Sequence, residues 1–358
     1  MRLHPIVLRA PAALLCAALV ACSQQQDAAP EPSDPPVGAD ADADPQQSAA
    51  DESNPPSEEE TEAPIGWVTE LPTADEDEGE DEEEDEPSLA PEDRGTGGGK
   101  TDPVTATDAD ELTDHLAADG PVVVELDGDI DLDGDLQVPS DTTLVGSEEG
   151  TELTGGRLVV EGADNVVLTG LAFDTDGTAV AVRDDAHNIW VHRSTFTGGD
   201  DGALLEVADG ADHVTVAWNH FQKASSALTI GGAADEPGAL HVTVHHNHFD
   251  GTSGHHPRAR NAEHVHVFNN YFSSNADYGV ESSHESNVLV EGNYFQNAEL
   301  SVRPAEEDPG NAVARDNLLV DTPQPEIRGE VPDPPYDYEL DPATEIPDLV
   351  GDGAGAPA

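Results

Sequence analysis

Between residues 165 and 319 one pattern returns seven times: "NVVLTGLAF", "NIWVHRSTF", "HVTVAWNHF", "HVTVHHNHF", "HVHVFNNYF" and "NVLVEGNYF" each run an alternating stretch of β-formers into a closing phenylalanine, and Leu319 closes the seventh. Phe173, Phe196, Phe221, Phe249, Phe272 and Phe295 are spaced 23, 25, 28, 23 and 23 residues apart, and Leu319 follows 24 later. A period in this range, with strand alternation inside each unit, specifies a solenoid in which each repeat buries its apolar face against the next. Alternation at period two, with much Val, Thr, Asn and Gly, excludes a helical solenoid. A leucine-rich horseshoe lacks its leucine framework here. The expectation is an all-β, right-handed parallel β-helix with stacked phenylalanines inside it. Two residues before the closing aromatic stand Asn219, Asn247, Asn270 and Asn293. Stacked amides can satisfy one another and the backbone of a tight bend, so these predict an asparagine ladder with no chemical role.

The repeats do not begin the chain. Residues 1–22, "MRLHPIVLRAPAALLCAALVAC", open with Arg2 and Arg9, continue in a short apolar run and end in small residues before Cys22. That pattern reads as a secretory signal, because a membrane span needs about 20 apolar residues. The tetrad "LVAC" resembles a bacterial lipobox, which implies lipidation of Cys22, a membrane anchor and an extracytoplasmic location; Ser23 points to the outer membrane or cell surface. Residues 23–100 hold 26 Asp or Glu against Arg94 and Lys100 and include "DEDEGEDEEEDE". Such a stretch buries too little apolar surface to offset its ordering entropy, so a disordered acidic linker is expected, with an r.m.s. span on the order of 50 Å. "IGWVTEL" around Trp67 is an apolar island in it, readable as a docking motif or as an inert patch.

Residues 101–358 form the single expected domain. They carry 50 Asp or Glu and nine Arg or Lys. No basic face remains to displace counterions from phosphates, which excludes nucleic acid as a partner. So acidic a surface suits high salt, where a Debye length of about 3 Å at 1 M removes most self-repulsion, and a halophilic source is expected.

In order along this domain stand "LQVPSDTTLVGS", "NIWVHRSTF", "DGALLEV", "HVTVAWNHF", "ALTIGG", "HVTVHHNHF", "PRAR" and "PPYDYELDPATEIPDLVGDGAG". On these motifs the chain resembles the pectate lyase family, polysaccharide lyase family 1. The resemblance implies a pectin-lyase-like solenoid, an acidic glycan as substrate, a monomer, and β-elimination: a base removes the C5 proton of a uronate while calcium and arginines hold the carboxylate. Carried over position by position, Arg258 and Arg260 match the arginines of "R-x-P-R-x-R", and His255 stands where the family has its catalytic arginine. Asp201 matches a calcium aspartate. In "WVHR", His192 occupies the position of another. Leu205 stands at the third, with Glu206 one residue late; in a strand that shift reverses the side chain, so Glu206 would serve only through a bulge. Ser226 takes the place of the lysine in "HDKT". The implied metal set is therefore Asp201, Glu206 and His192, incomplete for calcium, which takes six to eight oxygens.

Two readings follow. A histidine near its ordinary pKa of about 6.5 is a better proton acceptor at neutral pH than an arginine, and Arg258 and Arg260 can fork onto a carboxylate, which describes a lyase with a retuned site. The alternative is a non-catalytic glycan-binding or scaffolding β-helix. Thirteen of the fifteen histidines lie between residues 187 and 284. His245, His246, His248, His255, His256, His264 and His266 among them form a candidate transition-metal cluster. The pairs Asp184/Asp185 and Asp200/Asp201 leave glycoside hydrolysis as a third possibility.

Overall fold

The computed structural model describes residues 63–70, 94–99, 101–199, 202–232 and 234–357. Cys22 and Asp201 lie outside the described residues, as do the signal and most of the linker. The repeats wind into a parallel β-helix. Every coil contributes one strand to a ten-stranded parallel sheet that begins at Val104–Ala106 and ends at Asn311–Arg315. The remaining strands join a fifteen-stranded sheet that wraps two faces of the solenoid, because the ten-residue strand Glu152–Glu161 pairs with Ala172–Thr175 at one end and with Val180–Arg183 at the other.

Register follows the repeat. Phe173, Phe196, Phe221, Phe249, Phe272 and Phe295 sit opposite one another in successive strands, with ring centroids 4.3 to 5.1 Å apart and nearly parallel. The amide of Asn219 donates to Oδ1 of Asn247, Asn247 to Asn270, Asn270 to Asn293 and Asn293 to Asn317, at 2.9 to 3.0 Å. Each amide also donates to a backbone carbonyl, as Asn270 does to Val244 and Phe268, so the tight bend buries no orphaned amide. Asn317 extends the ladder one coil beyond the asparagines read from the repeat.

The first coil is closed by the helix Ala109–Leu116. Asp108 accepts from the Glu111 amide while Glu111 accepts from the Thr107 amide, a reciprocal cap, and Leu112 and Leu116 cover the end of the core. The last segment returns across the ten-stranded sheet: the Tyr336 hydroxyl meets Thr243 and His266, and the Gly355 amide reaches the Trp218 carbonyl.

Two pieces assigned to the linker belong to the folded unit. Residues 63–70 lie on the outer face of the ten-stranded sheet, where the Trp67 and Val68 amides donate to Thr243 and Thr215, and Asn188 donates to the carbonyls of Val68 and Glu70. Val68 is fully buried against Val167 and Trp190, and the Trp67 ring is ringed by His213, His241, His264 and Tyr336. Residues 94–99 dock through Asn165, which takes the amides of Thr96 and Gly97. The apolar island of the linker is thus a docking motif for its own domain, because strand-end threonines and asparagines leave donors and acceptors that an extended segment can use.

Candidate active site

One outward row crosses the fifteen-stranded sheet. Glu206 pairs with Thr229, Thr229 with Arg258, Arg258 with Glu281 and Glu281 with Arg303. Strands about 4.8 Å apart put Glu206 and Arg258 about 10 Å from each other on one face. Leu205 is fully buried in the core and pairs regularly with Leu228. The strand therefore presents Glu206 outward without any bulge, contrary to the expectation that one would be needed.

The bend before Arg258 carries His255, whose backbone lies in the left-handed region at φ 59°. Its Nδ1 is 2.7 Å from Ser226 Oγ, and its Nε2 faces Arg258 Nη1 at 3.5 Å. Guanidinium is only a donor, so the nitrogen facing it carries the lone pair; the Nδ1 proton then goes to Ser226. Burial, and next the Arg258 charge, push the His255 pKa down to about 4. The ring is neutral at pH 7, with its basic nitrogen next to a cation.

Around this pair, Glu281 is held by Arg303 at 2.7 Å, and the Arg303 guanidinium lies 4.1 Å over the ring of buried Tyr278. Burial raises the Tyr278 pKa, which keeps the phenol protonated. Arg157, Arg183, Arg303 and Arg315 each pair with a carboxylate. Among the described residues Arg258 and Arg260 form no ion pair, although the chain is dense in acids. Two unpaired guanidinium groups beside a neutral imidazole make a place for an external carboxylate. Glu281 and Arg303 were missed in the sequence; their signal was the repeat phase, since both fall one and two coils on from Arg258.

His192 is elsewhere. It ends the strand His187–His192 of the ten-stranded sheet, stacked on Trp190 at 3.7 Å, and burial pushes its pKa down to about 3. Of the expected set, Glu206 and His192 are not brought together, because consecutive strands of a coil face different sides of the solenoid, and Asp201 lies outside the described residues. Among the described residues the arginine face offers only Glu206 as an unpaired carboxylate, and no group of three metal-ligating side chains includes it. The described residues supply one such carboxylate there, and the other candidate, Asp201, lies outside them. Of the seven clustered histidines, His245 and His246 meet Nδ1 to Nδ1 at 2.8 Å, while His256 bonds the Gly279 carbonyl in the core, His264 the Pro332 carbonyl, His246 Asp341, and His266 both Glu291 and Tyr336. Asp184 and Asp185 are exposed in a bend between two strands, and Asp200 and Asp201 lie outside the described residues. A cavity of about 680 Å³, lined by Trp190, Trp218, His245, Phe268 and Tyr338, opens on the ten-stranded sheet and not at the arginine face.

Known proteins match this geometry. The pattern of the family described as Pectate lyase matches residues 93–317. A pectate lyase, plyB, from Emericella nidulans is 31% identical over 146 residues, 38% of this chain and 44% of that one. A pectate trisaccharide-lyase from Thermotoga sp. strain RQ2 is 30% identical over 186 residues, 48% of this chain and 46% of that one. The chain thus spans less than half the length of these curated relatives. Among solved structures, a pectate lyase from Bacillus sp. N165 in complex with trigalacturonate superposes with a TM-score of 0.68 at 21% identity, covering 82% of this chain and 99% of that one. The family pattern extends over more than half of the sequence: the chain belongs to the pectate lyase family.

Proposed function

We propose that this protein is a polysaccharide lyase that cleaves a uronate-containing glycan by β-elimination, with His255 as base. The observation that carries the reading is the neutral His255 imidazole, fixed by Ser226 at Nδ1, whose lone pair on Nε2 stands beside the unpaired Arg258. A uronate carboxylate bridging Arg258 and Arg260 would place C5 near that nitrogen. Nε2 takes the C5 proton, the C–H electron pair becomes the C4–C5 double bond, and the C4–O bond breaks with its electron pair on oxygen, which takes a proton from water. Arginines facing the carboxylate stabilise the enolate-like charge that develops. The substrate carboxylate also offsets the Arg258 charge on His255, moving its pKa back towards neutrality and strengthening the base in the complex. The fold and family support a lyase. The trigalacturonate held by the Bacillus relative supports an acidic glycan as its substrate class.

Lipid attachment at Cys22 and an extracytoplasmic location belong to the same proposal and rest on the sequence of residues 1–22. The test of the chemistry is to incubate purified protein with polymers of galacturonate and other uronates, with and without calcium, and to follow the ultraviolet absorbance of unsaturated uronate ends. Product that disappears in His255→Ala, by at least about a hundredfold for a lost general base, is the expected result. Full activity in that variant sinks the assignment of the base. Binding without product from the unmodified protein favours a glycan-binding β-helix.

A further inference from the structure

A second chemical cluster lies on the part of the fifteen-stranded sheet that carries the phenylalanine strands, remote in the strand order from the arginine face. His220–Gln222 and His248–Asp250 pair in register, His220 opposite His248 and Gln222 opposite Asp250. Phe221 and Phe249 between them point into the core, so alternation brings His220, His248 and Asp250 out on one surface. The two imidazoles stack at 4.7 Å, within 4° of parallel. His220 Nε2 is buried, has no hydrogen-bond partner, and stands 3.7 Å from Asp250 Oδ2. His248 Nε2 meets Ser273 Oγ at 3.0 Å, and that hydroxyl donates to Asp250 Oδ1 at 3.1 Å. One ligand atom from each of His220, His248 and Asp250 falls within 4.8 Å of the others.

We propose that His220, His248 and Asp250 bind a divalent transition-metal ion of the zinc class. Two imidazoles and one carboxylate favour zinc, nickel or copper over calcium, which takes oxygen. Bonds of about 2.0–2.2 Å set neighbouring ligand atoms about 3.3–4.2 Å apart, a range that includes the separation of His220 Nε2 from Asp250 Oδ2. Because an imidazole lone pair lies in the ring plane, binding would tilt the two rings away from parallel to converge their nitrogens. Asp250 is half exposed, so an ion can enter and water can complete its coordination. Ser273 would release His248 and keep its bond to Asp250, orienting the carboxylate from the outer shell. Lys223, whose charge bears on His220, is the opposing group. The comparable trio Asp212, His213 and His241 is less suited, because Asp212 Oδ1 already accepts from both the backbone and the ring of His241, and His213 is fully buried.

The test is to treat the full chain with a chelator, then titrate it with cobalt(II) followed by visible absorption and with zinc(II) followed by calorimetry. One ion per chain is expected, weakened more than about tenfold by His220→Gln and by Asp250→Asn and retained in Asp212→Asn. Asp250→Asn alters a half-exposed side chain, so its fold can be verified by circular dichroism before titration. Absence of stoichiometric binding, or binding undiminished in both His220→Gln and Asp250→Asn, overturns the proposal. Neither readout depends on lyase activity.

Discussion

At the scale of single residues, the proposed histidine base sets the pH to which the site should answer. His255 needs its lone pair to act as base, and burial beside Arg258 pushes its pKa down to about 4. Activity in the free enzyme is therefore lost as pH falls through a value well below the ordinary 6.5 of histidine, and is flat above it. The acidic limb of a kcat/KM profile should lie below about pH 5.5. Ser226→Ala, which leaves the ring without its Nδ1 partner, should lower kcat more than it raises KM. A limb at or above 6.5 contradicts the burial of His255. His255, Arg258 and Arg260 were legible as a motif, "HHPRAR", because three chemical residues were close in sequence. Ser226 was legible only as a loss; that it anchors His255 from 29 residues away is a fact of stacking between coils.

At the scale of elements, the asparagine ladder is a set of hydrogen bonds with no solvent alternative. The two Asn270 Nδ2 hydrogens are shared among three acceptors, and its Oδ1 accepts two bonds, from the Asn247 backbone and side-chain amides, all in the interior. Asn270→Ala leaves those donors and acceptors unpaired, and each buried orphan costs about 1–3 kcal/mol. Urea unfolding should show a loss of at least about 2 kcal/mol, with the spectrum of the folded state unchanged. A neutral substitution would mean that water enters the bend. The repeat made four of these asparagines readable, but Asn317 escaped because Leu319 broke the phenylalanine signal that marked its coil. The strap at residues 63–70 escaped for another reason: its composition is that of a linker, and only the row of Thr215 and Thr243, next to Asn188 and buried beneath the strap, gives it a place to bond.

At the scale of the molecule, the buried histidines tie stability to pH. His248, His256 and His264 are each pushed down by burial to about 4, like His255, whereas unfolded histidine titrates near 6.5. Between these values the unfolded chain binds more protons than the folded one, so stability falls as pH drops from about 6.5 to about 4. Glu291, held down to about 2 by His266, Arg315 and Tyr338 against the opposing effect of burial, adds a further loss below pH 4.5. Urea midpoints at pH 7.5 and 4.5 should differ by a few kcal/mol in stability; equal midpoints would show that these rings are hydrated. The sequence by itself determined the solenoid, since a strict period with alternation permits no other way to bury the phenylalanines, and it located the arginine pair. It also determined the strong negative charge. The tertiary structure alone decided which residues share a face. A coil turns its strands to different sides, so His192 and Glu206, 14 residues apart, part company, while His220, His248 and Asp250 meet because a coil returns each position to the same side.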